Sequence, residues 1–144
     1  MLNVRVKIKK LRPDVKLPAY ALPGDAGMDI FSNEADVIIE PNQRHIFATG
    51  WALEYPEGYA TLIWDKSGLS GKHGLKVMGG VFEYTYRGEY MICLLNTSDQ
   101  PYQIKKGEKI AQMIIQPINT AELEEVTELS ESVRGEGRHG HTGK

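Results

Sequence analysis

Cysteine, charge of one sign and long apolar runs are all scarce in this 144-residue chain, and each scarcity removes a class of protein. The single cysteine, Cys93, can form no intrachain disulfide and, set in the apolar run Tyr90-Met-Ile-Cys-Leu-Leu95, reads as a packed thiol. Seventeen basic against nineteen acidic residues, a net charge of −2, leave no basis for the basic face of a general nucleic-acid binder, although a small anionic ligand stays compatible. No apolar stretch approaches the length of a membrane span, and Met1 to Lys10 alternates instead of forming a signal-peptide core. The expectation is a soluble, unprocessed, cytoplasmic protein with neither membrane nor nucleic acid as partner. Carboxylates do not cluster at metal-ligand spacing, and the pair His139-x-His141 offers only two ligands in a Gly-rich segment, so no permanently bound metal is expected.

What is present is a series of short β-branched and aromatic runs. Val4, Val6 and Ile8 alternate with polar residues, and strands are predicted at Val37–Ile39, His45–Leu53, Tyr59–Trp64, Tyr90–Leu95 and Ile110–Ile115. Turn signals separate them: Pro23-Gly-Asp25, Glu40-Pro-Asn42, Pro56-Glu-Gly58, Asn96 to Pro101 and Lys105-Lys-Gly107. Many short strands so punctuated predict an all-β antiparallel sandwich, jelly roll or small barrel. One short helical turn is expected from Ser67 through Leu69-Ser70. The length suits one β domain over 1–130, followed by a flexible Gly-rich arm at 131–144.

Several residues stand out against this background. Asp29 lies in a small or apolar stretch, where a charge must be paired or solvated. Ser67-Gly68 at a helix start offers a hydroxyl and free backbone N–H groups to phosphate oxygens, with Lys66 adding charge; an ordinary N-cap would use the same serine. Gln112 sits in an apolar strand and needs a partner there, as a phosphate contact or as a satisfied core amide. The last eleven residues interleave four glycines with Arg134, Arg138, His139, His141 and Lys144, a flexible cationic strip suited to closing over a phosphorylated ligand, or a frayed basic tail.

Five segments in order, Ala26-Gly-Met-Asp-Ile-Phe-Ser32, Asp65-Lys-Ser-Gly-Leu-Ser70, Gly79 to Gly88, Gly107-Glu-Lys-Ile-Ala-Gln-Met113 and the tail from Arg134, resemble the five motifs of the homotrimeric dUTPase family. The resemblance implies a jelly-roll-like β fold of the β-clip kind, a homotrimer with active sites at subunit interfaces, Mg²⁺ held chiefly by the substrate triphosphate, and cleavage of dUTP to dUMP and diphosphate. It makes Glu83 the base that activates water and Asp29 the organiser of the site. Lys66, Ser67, Gly68, Gln112, Arg134, His141 and Thr142 are then phosphate contacts, and Gly80, Phe82, Tyr86, Met91 and His139 contact base and sugar.

The chain departs from that pattern in two motifs. The family's catalytic Asp is Glu83 here, the Ile before it is Phe82, and Tyr84 and Thr85 follow. Phe82 and Tyr84 either refill the pocket or pack as alternating strand residues. In the tail, Arg138, His139 and His141 stand where the family carries Gly, a base-stacking Phe and Ser, and an Arg is common where Lys66 stands. Two further readings follow from these changes: the same reaction on a different base, or an attenuated nucleotide-binding or regulatory homologue. Deamination on the same fold is disfavoured, since Cys93 stands where the related dCTP deaminases carry a catalytic Glu and their Arg-Ser-Ser signature is missing.

Overall fold

The strands pair only with antiparallel neighbours, and they do so in four small sheets. The computed structural model describes residues 3–140 and 142–143. In chain order the elements are β1 (Lys7–Lys10), β2 (Met28–Phe31), β3 (Val37–Ile39), β4 (Arg44–Ala48), β5 (Trp51–Glu54), β6 (Tyr59–Trp64), α1 (Ser67–His73), β7 (Leu75–Met78), β8 (Val81–Phe82), β9 (Met91–Asn96), β10 (Tyr102–Ile104) and β11 (Lys109–Pro117). A four-stranded sheet runs β2-β11-β6-β8, a three-stranded one β4-β9-β7, and β1-β5 and β10-β3 form two-stranded ribbons. The architecture is all-β with one short helix, as the strand pattern predicts. Trp51, Tyr90, Phe47, Ile30 and Leu94 fill the core between the sheets.

The expected run His45–Leu53 is two strands. Gly50, at φ 80°, breaks it so that β4 pairs with β9 while β5 turns away to β1. The first strand begins at Lys7, later than the alternation from Val4 suggests, because only Lys7–Lys10 finds a partner, on β5. α1 runs on past Ser70 to His73 and stops at Gly74, whose left-handed φ of 70° lets its N–H close on Leu69 and Ser70 carbonyls. Cys93 is half-buried on the outward face of β9, in register with Ile46 and Met78, and so packs outside the main core. After β11 ends at Pro117, every residue to Glu136 is exposed.

Candidate active site

β2 and β11 lie side by side, with Asp29 opposite Gln112 and Lys109 opposite Phe31. This pairing gathers Asp29, Lys66 and Gln112, with Ser67 beside them, at one end of the four-stranded sheet. Asp29, 3% exposed, receives one ammonium on each carboxylate oxygen: Lys66 at 2.6 Å on Oδ1 and Lys109 at 2.8 Å on Oδ2. Burial alone would push its carboxyl up, but hydrogen bonds and charge from the two lysines outweigh that and hold it below the usual carboxylate range. Asp29 is thus ionised, and its work is to fix two cations at the mouth of α1.

The entry to α1 is clamped twice. Gln112 Nε2 donates to the Asp65 carbonyl at 2.8 Å, and the Asp65 carboxylate accepts from the Val77 N–H at 2.6 Å and from Lys76 at 2.7 Å. Gln112 is therefore satisfied by backbone in this chain, as a core amide would be. Gly27 leaves it room: a Cβ there would stand 2.3 Å from Gln112 Oε1. Lys66 is the N-cap residue and makes no side-chain cap, so Ser67 is not the capping serine; it and Gly68 lie exposed on the first turn, whose N–H groups lack intrahelical partners. A cleft of about 470 Å³ borders this cluster, lined by Lys16, Lys66, Lys72 and Lys109, with Phe31 and Tyr102 among its apolar walls and Glu108 as its acid. Such a lining attracts anions.

The residues expected to meet base and water sit elsewhere on the chain. β8 pairs with β6 through Thr61–Phe82 and Leu62–Val81, and Gly80 hands its carbonyl to the Ile63 N–H at 2.7 Å. Gly80, at φ 126°, is required there, because a Cβ would meet the Ile63 carbonyl oxygen at 2.8 Å. Phe82 stacks on the buried Tyr90, centroids 4.1 Å apart at 12°, and Tyr86 leans on both rings. Phe82 and Tyr84 both pack against the core. Glu83 follows on a turn closed by the Tyr86 N–H on its carbonyl at 3.1 Å; its side chain is exposed and makes no hydrogen bond among the described residues. Tyr86 donates its hydroxyl to the Glu89 carbonyl at 2.8 Å. Met91, exposed at the start of β9, joins Gly80, Phe82 and Met78 around a small cleft of about 80 Å³.

The tail joins neither cluster by a hydrogen bond or ion pair among the described residues. Arg134 Nε donates to the Gly137 carbonyl at 2.8 Å and Nη2 to Arg138 at 3.3 Å, so its guanidinium holds its own turn. His139 and Thr142 are exposed. The expectations at His141 and Lys144 lie outside the described residues. Among the described residues no three His, Cys, Asp or Glu side chains converge as a metal site. Three residues now central were not singled out by sequence reasoning: Lys109 and Asp65, which complete the cation cluster and its clamp, and Tyr55, beneath β8. A buried Asp29 signals that it needs cations, but not which of seventeen basic residues supplies them.

The comparisons with known proteins all lead to one family. A family model described as dUTPase matches residues 14–143. Deoxyuridine 5′-triphosphate nucleotidohydrolases from Clostridium tetani and Thermobifida fusca are 47% and 46% identical, covering 100% and 98% of this chain and 100% and 80% of their own lengths. Among solved structures, the dUTPase of Staphylococcus bacteriophage 80alpha with dUpNHpp superposes with a TM-score of 0.88 at 33% identity, covering 97% of this chain and 99% of that one. The dUTPase from phage phi11 of S. aureus gives 0.79 at 29% identity, covering 89% and 99%.

Proposed function

The chain belongs to the dUTPase family, and from that premise we propose that it hydrolyses dUTP to dUMP and diphosphate. The observation that carries the reading is the phosphate end: an ionised, buried Asp29 holding Lys66 and Lys109 beside the open first turn of α1 and a lysine-lined cleft. There Lys66, Ser67 and Gly68 bind phosphate oxygens, with Gln112 fixing the Asp65 carbonyl that sets the turn. In the reaction, water attacks the α-phosphorus, its proton passes to the Glu83 carboxylate, and the bond to the bridging oxygen breaks as diphosphate leaves. Gly80, Phe82, Tyr86 and Met91 hold base and sugar. Arg134, His139, His141 and Thr142 close from the arm, His139 by stacking and the others on phosphate.

Mg²⁺ belongs to this proposal as a passenger of the triphosphate. Asp29 and Asp65 are both already engaged by lysines and a backbone N–H, and Glu108 on the cleft wall accepts the Lys105 N–H, so the triphosphate is the chief source of ligands for the ion. Bound through the substrate, it neutralises phosphate charge and polarises a phosphoryl oxygen.

A homotrimer is proposed from the family resemblance, and two observations favour a site shared between chains. Phe82 lies opposite Thr61, five residues before Lys66, so at ~3.3 Å per residue the two halves of the site stand on the order of 16 Å apart along β6 and just past its end, and a compact site would join halves from different chains. Trp64, Met78, Val81 and Met91 are also exposed on neighbouring strands, an apolar face suited to a subunit contact. A cytoplasmic setting completes the proposal; among the described residues no helix is long and apolar enough to cross a membrane.

The names of the relatives favour dUTP over a changed base or a non-catalytic homologue. Diphosphate release with Mg²⁺ across dUTP, dTTP, dCTP, dATP, dGTP and UTP, with chromatography of the product, tests this. dUTP should give the highest kcat/KM and yield dUMP; another preferred base, or no turnover of any of the six, would overturn the reading.

A further inference from the structure

Beneath the hairpin that carries Glu83 lies a chain of buried hydroxyls that the reaction as described leaves unused. Tyr55, 4% exposed, follows β5 and points its hydroxyl at the last rung of the β6–β8 ladder. There it accepts the Thr61 N–H at 3.0 Å and donates to the Phe82 carbonyl at 2.7 Å, joining the two backbones at their register pair. The Thr61 hydroxyl in turn lies 3.1 Å from the Tyr90 hydroxyl, and the Tyr90 ring stacks under Phe82. Phe82 is thus held by its carbonyl through Tyr55 and by its ring through Tyr90. The next residue is Glu83.

We infer that Tyr55 is a positioning residue for the hydrolysis: its hydroxyl bridge between Thr61 and Phe82 fixes the backbone from which Glu83 reaches the attacking water. The inference rests on the reading of Glu83 as the base. Glu83 sits on an exposed turn, its side chain bonded to nothing among the described residues, so nothing beyond its own backbone determines where its carboxylate stands. β8 is only two residues long, too short to hold that backbone by ladder bonds alone. A displacement of about 1 Å at a reacting group can cost on the order of a hundredfold in rate, so partial loosening of the rung should be visible in kcat. Burial pushes the Tyr90 hydroxyl well above its ordinary pKa, so that hydroxyl keeps its proton throughout the working pH range.

The test is the cycle Tyr55→Phe, Glu83→Asp and both together, with Glu83→Gln as the reference for the base, each assayed on dUTP with Mg²⁺. Tyr55→Phe should lower kcat by about tenfold with KM within about twofold of wild type, since phosphate contacts are untouched and the Phe82 ring, a base and sugar contact, stays stacked on Tyr90. Its effect should also differ by about threefold or more in the Glu83→Asp background, where the carboxylate is shorter; a merely structural tyrosine would act by the same factor in both. Wild-type kcat in Glu83→Gln would overturn the base assignment. Unchanged kcat in Tyr55→Phe beside a crippled Glu83→Gln, or equal factors in the two backgrounds, would overturn the positioning role alone. Hydrogen exchange on the unaltered protein keeps the idea falsifiable if Tyr55→Phe does not fold: the Thr61 amide should be as protected as its β6 neighbours, and free exchange there would remove the bridge.

Discussion

At the scale of single residues, the two acids of the site have opposite situations and predict opposite mutational behaviour. Glu83 is exposed and unbonded, so Glu83→Gln should leave thermal stability unchanged while kcat falls on the order of a hundredfold or more, with KM little altered. Steady-state kinetics beside a melting curve checks both halves, and a retained kcat would place the base elsewhere. Asp29 is buried between two ammonium groups, and its folded carboxyl titrates below its ordinary value of 3.8. A depressed carboxyl contributes stability above its unfolded value and loses it as pH falls through the folded one. Asp29→Asn should therefore cost about 1–2 kcal/mol near pH 6, limited because Lys66 and Lys109 can turn to solvent, and the difference from wild type should shrink below about pH 4. Urea midpoints at several pH values measure it; a gap that widens toward acid would contradict the pairing. Asp29 and Gln112 were legible in the sequence because a charge or an amide among apolar neighbours must find a partner, and Lys66 because it adds charge at a helix start. The partners were not: Lys109 and Asp65 are brought in by strand pairing between segments far apart in the chain.

At the scale of elements, β6, β9, β11 and even the three-residue β3 were readable while β2, β7 and β8 were not, for physical reasons that differ. β6 and β11 carry runs of β-branched and aromatic residues long enough to signal themselves. β2 is nearly all buried, Met28-Asp-Ile-Phe31, so it shows no alternation of apolar and polar positions. β7 does alternate, Leu75 and Val77 inward with Lys76 and Met78 outward, but is hidden between glycines at 74 and 79. β8 is two residues, and what defines it is Gly80, whose backbone approaches Ile63 too closely for any side chain. Gly80→Ala should cost about 2–3 kcal/mol by chemical denaturation, through positive φ and the clash with a backbone oxygen, and should lower kcat by loosening the rung before Glu83. Normal stability with normal kcat would mean that β8 can shift without consequence to the site.

At the scale of the whole molecule, one chain holds the two proposed halves of a nucleotide site apart. The phosphate half opens beyond Trp64, the Glu83 hairpin leaves β6 at Thr61, and the arm holds only its own turn. Assembly should bring them together, and light scattering should report about three times the 16.1 kDa chain mass; the single-chain mass in dilute solution would remove the shared site. The arm separates assembly from catalysis. Nothing from 118 to 136 is buried, and Leu123, Leu129 and Val133 are almost wholly exposed, so these residues contribute nothing to the core of their own chain. Deleting 131–144 should accordingly leave the oligomer mass unchanged and the melting temperature within about 2 °C, since exposed termini add little to stability. Yet it removes Arg134, His139 and Thr142, which the proposed mechanism closes over the substrate, so kcat/KM for dUTP should fall on the order of a hundredfold or more. Loss of assembly on deletion would make the arm part of the subunit contact, and undiminished kcat/KM would leave the phosphates to Lys66, Ser67 and Gly68 alone.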